Sequence, residues 1–199
     1  MKKYLFVFYI LFFTSVAYAE NQTIIVAGGC FWCVESDYEK HPGVLSAESG
    51  YINGSTKNPT YRQVASKKTG HYEVVKITYN PDEVSAKTLV DYFWRTIDPT
   101  DDKGQFCDKG SPYKTALFYQ NADQEKTFRQ SLVTIEKNKP FDQNIVTKIL
   151  LAEVFYSAED YHQDYYKKSS LRYKYYRASC GRDARIKKLW GEVASKKLH

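Results

Sequence analysis

The sequence predicts a single α+β domain, a mixed sheet with flanking helices, on three observations. Runs rich in β-branched and aromatic residues alternate with segments of helical period. Their order is strand, helix, strand, strand, helix, strand, followed by further helices. No internal repeat and no linker divides the chain, and its length suits one full core. That order of elements is the ferredoxin-like split βαβ sandwich. Register and strand order are left open by it.

Residues 1–19 read as a secretory signal. Met1-Lys2-Lys3 is a basic start, 4–16 is an apolar run too short for a comfortable membrane span, and Ala17-Tyr18-Ala19 sets small residues at a cleavage site. An uncleaved N-terminal anchor is the alternative. The mature domain is then 20–199, and the formal net charge of +6 falls to +4 with the loss of Lys2 and Lys3. So modest and dispersed a charge gives no reason to invoke nucleic acid. Membrane contact is expected only through the signal segment before cleavage, and the expected location is the bacterial periplasm or the secreted space. All 4 cysteines, at positions 30, 33, 107 and 180, lie in the mature domain. Export permits disulfides, and it requires an outside source of electrons if thiols turn over.

Residues 23–26 are the first strand, and Gly28-Gly29 turn it into a helix with Phe31, Val34 and Tyr38 as apolar positions. Cys30 falls at the helix N-terminus, where unpaired N–H groups and the helix dipole favour a thiolate. The two glycines allow φ > 0 and let a partner approach the sulfur. Cys33 lies one turn on, on the same face. A nucleophilic thiolate with a second thiol in reach points to redox chemistry. The competing readings are an inert buried cysteine, a structural disulfide or half a metal site. Zinc would need two more ligands, and no second C-x-x-C or H-x-H pair exists.

Pro42-Gly43 turns the chain into a strand over 44–52. Beyond Asn53-Gly54-Ser55, Tyr61 sits in a polar loop, as a ligand-facing aromatic or as ordinary loop packing. Residues 70–79 are the most informative strand. At period two, Glu73 shares a face with Val75, Ile77 and Tyr79. A carboxyl on that apolar face is desolvated, which raises its pKa and lets it hold a proton near neutrality. The competing reading tips Glu73 into solvent at the strand end. His71 reads as a hydrogen-bonding surface residue.

Ser85 is an N-cap for a helix whose Leu89, Val90, Phe93, Trp94 and Ile97 are core. Residues 98–114 have no periodicity, and a loop of that length in a compact domain is usually functional. It carries Cys107, Asp108 and Tyr113 and could cover a site on the first helix. A short strand at 115–119 extends the sheet, and 121–138 is an amphipathic helix with Phe128, Leu132 and Ile135 on one stripe. The apolar run 145–154 reads as a central strand. Residues 158–168 read as a polar helix, with Tyr161-His162-Gln163 as pocket wall or surface. A basic, aromatic-rich tail over 171–176 precedes Cys180-Gly181-Arg182-Asp183 and a terminal helix through Leu189 and Trp190. With no obvious long apolar patch, a monomer is expected.

Gly28-Gly29-Cys30-Phe31-Trp32, Asn58-Pro59-Thr60-Tyr61, Thr69-Gly70-His71-Tyr72-Glu73 and Asp98-Pro99-Thr100, with Asp108 and Tyr113, together resemble the A-type peptide methionine sulfoxide reductases. Four motifs in the right order cover nearly the whole mature chain. The resemblance implies that Cys30 attacks the sulfoxide sulfur and that Glu73 protonates the sulfoxide oxygen. It gives the hydroxyls of Tyr61 and Tyr113 the binding of that oxygen, Phe31 and Trp32 the pocket for the substrate methyl, and Asp108 an orienting role. Cys30 is left as a sulfenic acid, a second thiol condenses with it, and an external dithiol of thioredoxin type resets the enzyme. No metal and no bound organic cofactor is implied. The implied substrates are free methionine (S)-sulfoxide and the same group in oxidised proteins or peptides.

Many members of that family have Gly where this chain has Cys33, with a resolving cysteine near the C-terminus. Here Cys33, Cys180 and Cys107 are all candidates. Proximity favours Cys33, although a bond to Cys30 demands C-x-x-C geometry. A Cys107–Cys180 pair, as relay or as static disulfide, stays open. Two other classes remain: a general thiol–disulfide oxidoreductase, which would leave Glu73 and the tyrosines idle, and a non-catalytic binder using its tyrosines for contacts.

Overall fold

The computed structural model describes residues 20–191; the signal read over 1–19 lies outside the described residues. In chain order the elements are β1 (Gln22–Gly28), α1 (Phe31–Tyr38), β2 (Val44–Ile52), α2 (Tyr61–Ala65), β3 (Tyr72–Tyr79) and α3 (Ala86–Thr96). Then come β4 (Gly104–Gln105), β5 (Asp108–Lys109), a 3-10 turn (Ser111–Tyr113), β6 (Thr115–Tyr119) and α4 (Ala122–Asn138). The chain continues through β7 (Lys148–Leu151), β8 (Tyr156–Ser157), α5 (Tyr165–Lys168), α6 (Ser170–Ser179) and α7 (Arg182–Trp190).

The main sheet has the order β7-β6-β1-β3-β2-β8. Strand β3 lies antiparallel between β1 and β2, with Val75 opposite both Val26 and Ser49. The β1–α1–β2 unit is therefore split by β3, and β6 runs antiparallel on the other side of β1. This is the predicted ferredoxin-like arrangement, with helices flanking a mixed sheet. Strand β7 pairs parallel with β6 after the α4 crossover, and β8 is a short antiparallel addition to β2.

Alternation along the strands divides the core. Ile24, Val26, Val75, Ile77 and Tyr79 face Phe31 and Val34 of α1, Leu89, Val90, Phe93 and Trp94 of α3, Phe128 and Ile135 of α4, and Ile186 of α7. Ile25, Ala27, Val74 and Phe118 make a smaller cluster on the opposite face. Local chemistry sets the helix starts. Ser85 accepts from the Thr88 N–H, and Asn121 from the Gln124 N–H at 2.9 Å. Trp94 is fully buried, as expected, and donates to Ser131 Oγ at 2.9 Å.

Three expectations change. The apolar run 145–154 yields a four-residue edge strand rather than a central one. Its neighbour β6 is already the outer strand of the split unit, so Leu151 and Val154 stay more than half exposed. Residues 158–168 hold only the single helical turn α5, because the backbone of Asp164 is left-handed at φ 55°. Tyr61 is not in a loop: Thr60 and Gln63 form a reciprocal capping box, which starts α2 at Tyr61.

Candidate active site

Strand β1 ends at Gly28, and Gly29, at φ +85°, swings the chain into α1 with Cys30 as its N-cap. A Cβ on Gly29 would stand 2.5 Å from Cβ of Gln105. The room made by these glycines is filled by the chain's own loop and by Arg182, not kept for an incoming partner as expected. The Cys30 carbonyl accepts from the Cys33 N–H at 3.1 Å, which brings the two thiols one above the other. Both are buried.

The two thiols titrate as a pair. Burial, the hydrogen bond with Cys33, and the charges of Cys33 and Glu73 push the Cys30 thiol well up. The hydrogen bond from Cys30 holds Cys33 down, with the Arg182 and Arg177 guanidiniums helping. The helix start alone therefore does not make Cys30 the resting thiolate. Loss of water from a nearly closed pocket outweighs the dipole.

Glu73 sits on the helix-facing side of β3 and is 1% exposed. Its Oε2 accepts from the Phe31 N–H at 3.2 Å. Burial pushes its carboxyl up to about 8, the charges of Asp108 and Cys33 push the same way, and the Phe31 N–H opposes them. It does not tip into solvent. His71 is also buried rather than on the surface. It bonds the Thr56 carbonyl at 2.7 Å and stands outside the pocket.

Cys30 and Glu73 line a cavity of about 60 Å³, room for a few water-sized groups. Tyr61 and Tyr113 enter it with their hydroxyls hydrogen-bonded to each other. Burial pushes Tyr61 up to about 12 and pushes Tyr113 up as well, so both remain donors. Phe31 and Trp32 give the apolar wall, with the Phe31 and Tyr61 rings stacked at 6.4 Å. Asp108 closes the pocket from the β4–β5 hairpin, as the long loop was expected to do.

A second set of residues fixes these groups. Trp32 stacks on Tyr165 at 3.8 Å, and its indole N–H donates to Nδ1 of His162 at 3.0 Å. Nδ1 is then the acceptor nitrogen of a neutral ring, consistent with burial holding the His162 imidazole below its ordinary value. Glu159 accepts from the Tyr61 N–H and from the Tyr51 hydroxyl, both at 2.8 Å. Arg182 is 1% exposed and donates to the Gly28 and Thr96 carbonyls at 3.1 and 2.8 Å, under the Cys30 turn. Arg177 bonds the buried Asp37 at 2.7 Å.

From α6, Tyr176 lines the pocket and donates to Asp108 Oδ2. Sequence reasoning missed Tyr176, Tyr165, Arg177 and Arg182, and left His162 undecided. The available signal was Tyr173, Tyr176 and Arg177 at helical spacing just before Cys180. Cys107 and Cys180 are joined in a disulfide. Two candidates for the resolving thiol are thus bonded to each other, and Cys33 is the free thiol beside Cys30. Among the described residues, two groups could in principle hold a metal. One spends its cysteines in that disulfide, and in the other Glu35, Glu39 and Asp164 are bonded to Ser49, Tyr166 and Lys167.

Comparison with known proteins gives one answer. Residues 22–194 match the peptide methionine sulfoxide reductase family. The peptide methionine sulfoxide reductase MsrA 2 of Caulobacter vibrioides is 46% identical over 177 residues, covering 89% of each chain. The MsrA/MsrB protein of Vibrio cholerae is 47% identical over 173 residues, and this chain spans 46% of its length. Among solved structures, reduced Mxr1 of Saccharomyces cerevisiae superposes with a TM-score of 0.72 at 30% identity, over 77% of this chain and 90% of that one. Methionine sulfoxide reductase A of Corynebacterium diphtheriae gives 0.68 at 30% identity, over 76% of each.

Proposed function

The chain belongs to the peptide methionine sulfoxide reductase family, and from that premise we propose that it reduces methionine (S)-sulfoxide, free and protein-bound, through Cys30. The observation that carries this reading is a carboxyl pushed up to about 8 in the same closed pocket as a buried thiol. A sulfoxide oxygen is a poor leaving group until it is protonated. An acid still protonated at neutral pH supplies that proton where the thiolate attacks.

The Cys30 thiolate attacks the sulfoxide sulfur while Glu73 gives its proton to the oxygen, held by the Tyr61 and Tyr113 hydroxyls. Phe31 and Trp32 receive the methyl group. The sulfur–sulfur bond so formed and the substrate S–O bond then break as the hydroxyl passes to the Cys30 sulfur, which is left as a sulfenic acid, and methionine leaves reduced by two electrons. Cys33 then attacks the Cys30 sulfur, water leaves, and a Cys30–Cys33 disulfide remains. An external dithiol of thioredoxin type returns two electrons and two protons. No bound cofactor takes part in this sequence.

The pattern of residues 1–19 and the Cys107–Cys180 disulfide both suit an exported protein. The chain then acts as a monomer in the bacterial periplasm or secreted space, on exported proteins. The test is single-turnover reduction of each epimer of a methionine sulfoxide peptide without reductant, followed by mass analysis of the cysteines. Methionine from the S epimer alone, with a new Cys30–Cys33 bond, is expected. Cys33→Ser should still form one methionine per chain and then stop. No methionine from either epimer would overturn the reading.

A further inference from the structure

Cys30 begins as a thiol, and the reaction needs its proton removed. Glu73 cannot take it, since its task requires that it already carry a proton. The Tyr176 hydroxyl lies between two groups: it donates to Asp108 Oδ2 and sits in hydrogen-bond contact with the Cys30 sulfur. A hydroxyl that gives its own hydrogen to a carboxylate has a lone pair free to accept the thiol hydrogen. The Cys30 thiol, the Tyr176 hydroxyl and the Asp108 carboxylate line the same pocket, and where its hydrogen is not given to Cys33 the thiol can pass it on in two hops.

We infer that Tyr176 is a further catalytic residue that carries the Cys30 proton to Asp108, an inference that rests on the reductase reading. Cys30 gives its hydrogen to Tyr176 Oη, Tyr176 gives its own to Asp108, and the tyrosine stays neutral. The thiolate forms with no outside base. After Glu73 has protonated the sulfoxide oxygen, the Asp108 proton recharges Glu73 across the pocket, so the proton count closes.

The frame that holds this path is covalent. Asp108 follows Cys107 directly, Tyr176 lies one helical turn before Cys180, and the two cysteines are bonded. The Trp32 ring meets Tyr176 edge-on at 5.7 Å and limits its swing. The groups facing Cys30 are Cys33, Glu73, Tyr61, Tyr113 and Tyr176. Those facing Asp108 are Tyr176, Tyr61, Tyr113, Arg182, Lys109, Lys67 and Glu73. Burial holds the Asp108 carboxyl above its ordinary value, which strengthens it as a base, while the Tyr176 hydrogen bond and the three cations pull the other way and favour the carboxylate.

Cys33 is the rival base, so the test is made in the Cys33→Ser chain, where only one methionine forms. Single-turnover rates are measured from pH 5.5 to 7.5, below the range where Glu73 loses its proton, for that chain and for the same chain carrying Tyr176→Phe, Asp108→Asn, or both. Each addition is expected to slow the reaction about 10²-fold near neutrality. The pH-independent plateau should give way to a rate that rises with hydroxide, and the two changes together should cost no more than one. Near-UV circular dichroism of Tyr176→Phe, which removes one oxygen, should match that of the parent and show that the fold is kept. An unchanged rate and plateau in Tyr176→Phe, or losses that multiply in the double variant, overturns the proton path alone. Failure of the Cys33→Ser parent to form methionine overturns the reductase reading instead.

Discussion

Replacing Glu73 by Gln tests the acid role and the burial of that carboxyl together. Glutamine keeps the shape and an oxygen to accept the Phe31 N–H, and it removes the titrating proton. With a folded pKa of about 8, roughly ten in eleven Glu73 carboxyls are protonated at pH 7 and about one in eleven at pH 9. The wild-type rate of methionine formation should fall about tenfold per pH unit above 8. Glu73→Gln should be slower by about 10²–10⁴ at pH 7 and should lack that alkaline limb. Stability carries the same signature. The folded pKa lies above the ordinary 4.5, so the folded state favours the proton. The stabilisation this gives is complete below about pH 4.5 and is lost as pH rises through about 8. At about 1.4 kcal/mol per unit the loss is on the order of 5 kcal/mol. In urea unfolding, wild type and Glu73→Gln should be close at pH 5, and the glutamine variant more stable at pH 9 by a margin of that order. Equal pH dependence of the two stabilities, together with a wild-type rate that is flat to pH 9, would refute the account.

Two further outcomes follow from the packing. Replacing Cys107 and Cys180 by Ser removes a cross-link spanning 73 residues. That should cost about 4 kcal/mol, read as a lower Tm that wild type in strong reductant matches. Asp37→Asn takes the carboxylate from the buried Arg177, bonded at 2.7 Å, and from Arg182 Nε, at 3.8 Å with no hydrogen-bond partner. Arg177 keeps Asp183, but Arg182 loses its compensating charge. The urea midpoint should drop by the equivalent of about 3–5 kcal/mol.

Local period carried much of the architecture. Strands at 44–52 and around 72–79, and a helix beginning after Ser85, are legible because alternation and helical spacing record which face of each element is apolar. The same logic put Glu73 on the inner face of β3, and the strand-to-helix turn put Cys30 at the start of α1. Where a segment's fate depended on its neighbours, the local signal misled. The run 145–154 is apolar enough for a central strand, yet its place was fixed by β6 having no other outer partner. Tyr61 looked like loop because the Thr60–Gln63 capping box starts a helix of only five residues, too short to show a period.

What the sequence by itself determined is the order of the elements, the strand-to-helix placement of Cys30 and Cys33, and the inner face that holds Glu73. Each is a property of a few adjacent residues. Only the tertiary structure decided which distant groups complete the pocket. Trp32 meets His162 across 130 residues of chain, Arg177 meets Asp37 across 140, and Tyr176 meets Asp108 across 68. It also decided the protonation of the two thiols, which follows from how much water the closed pocket excludes. Periodicity states which side of a helix is turned inward. Which strand, turn or cysteine waits there is set by the packing of the whole chain.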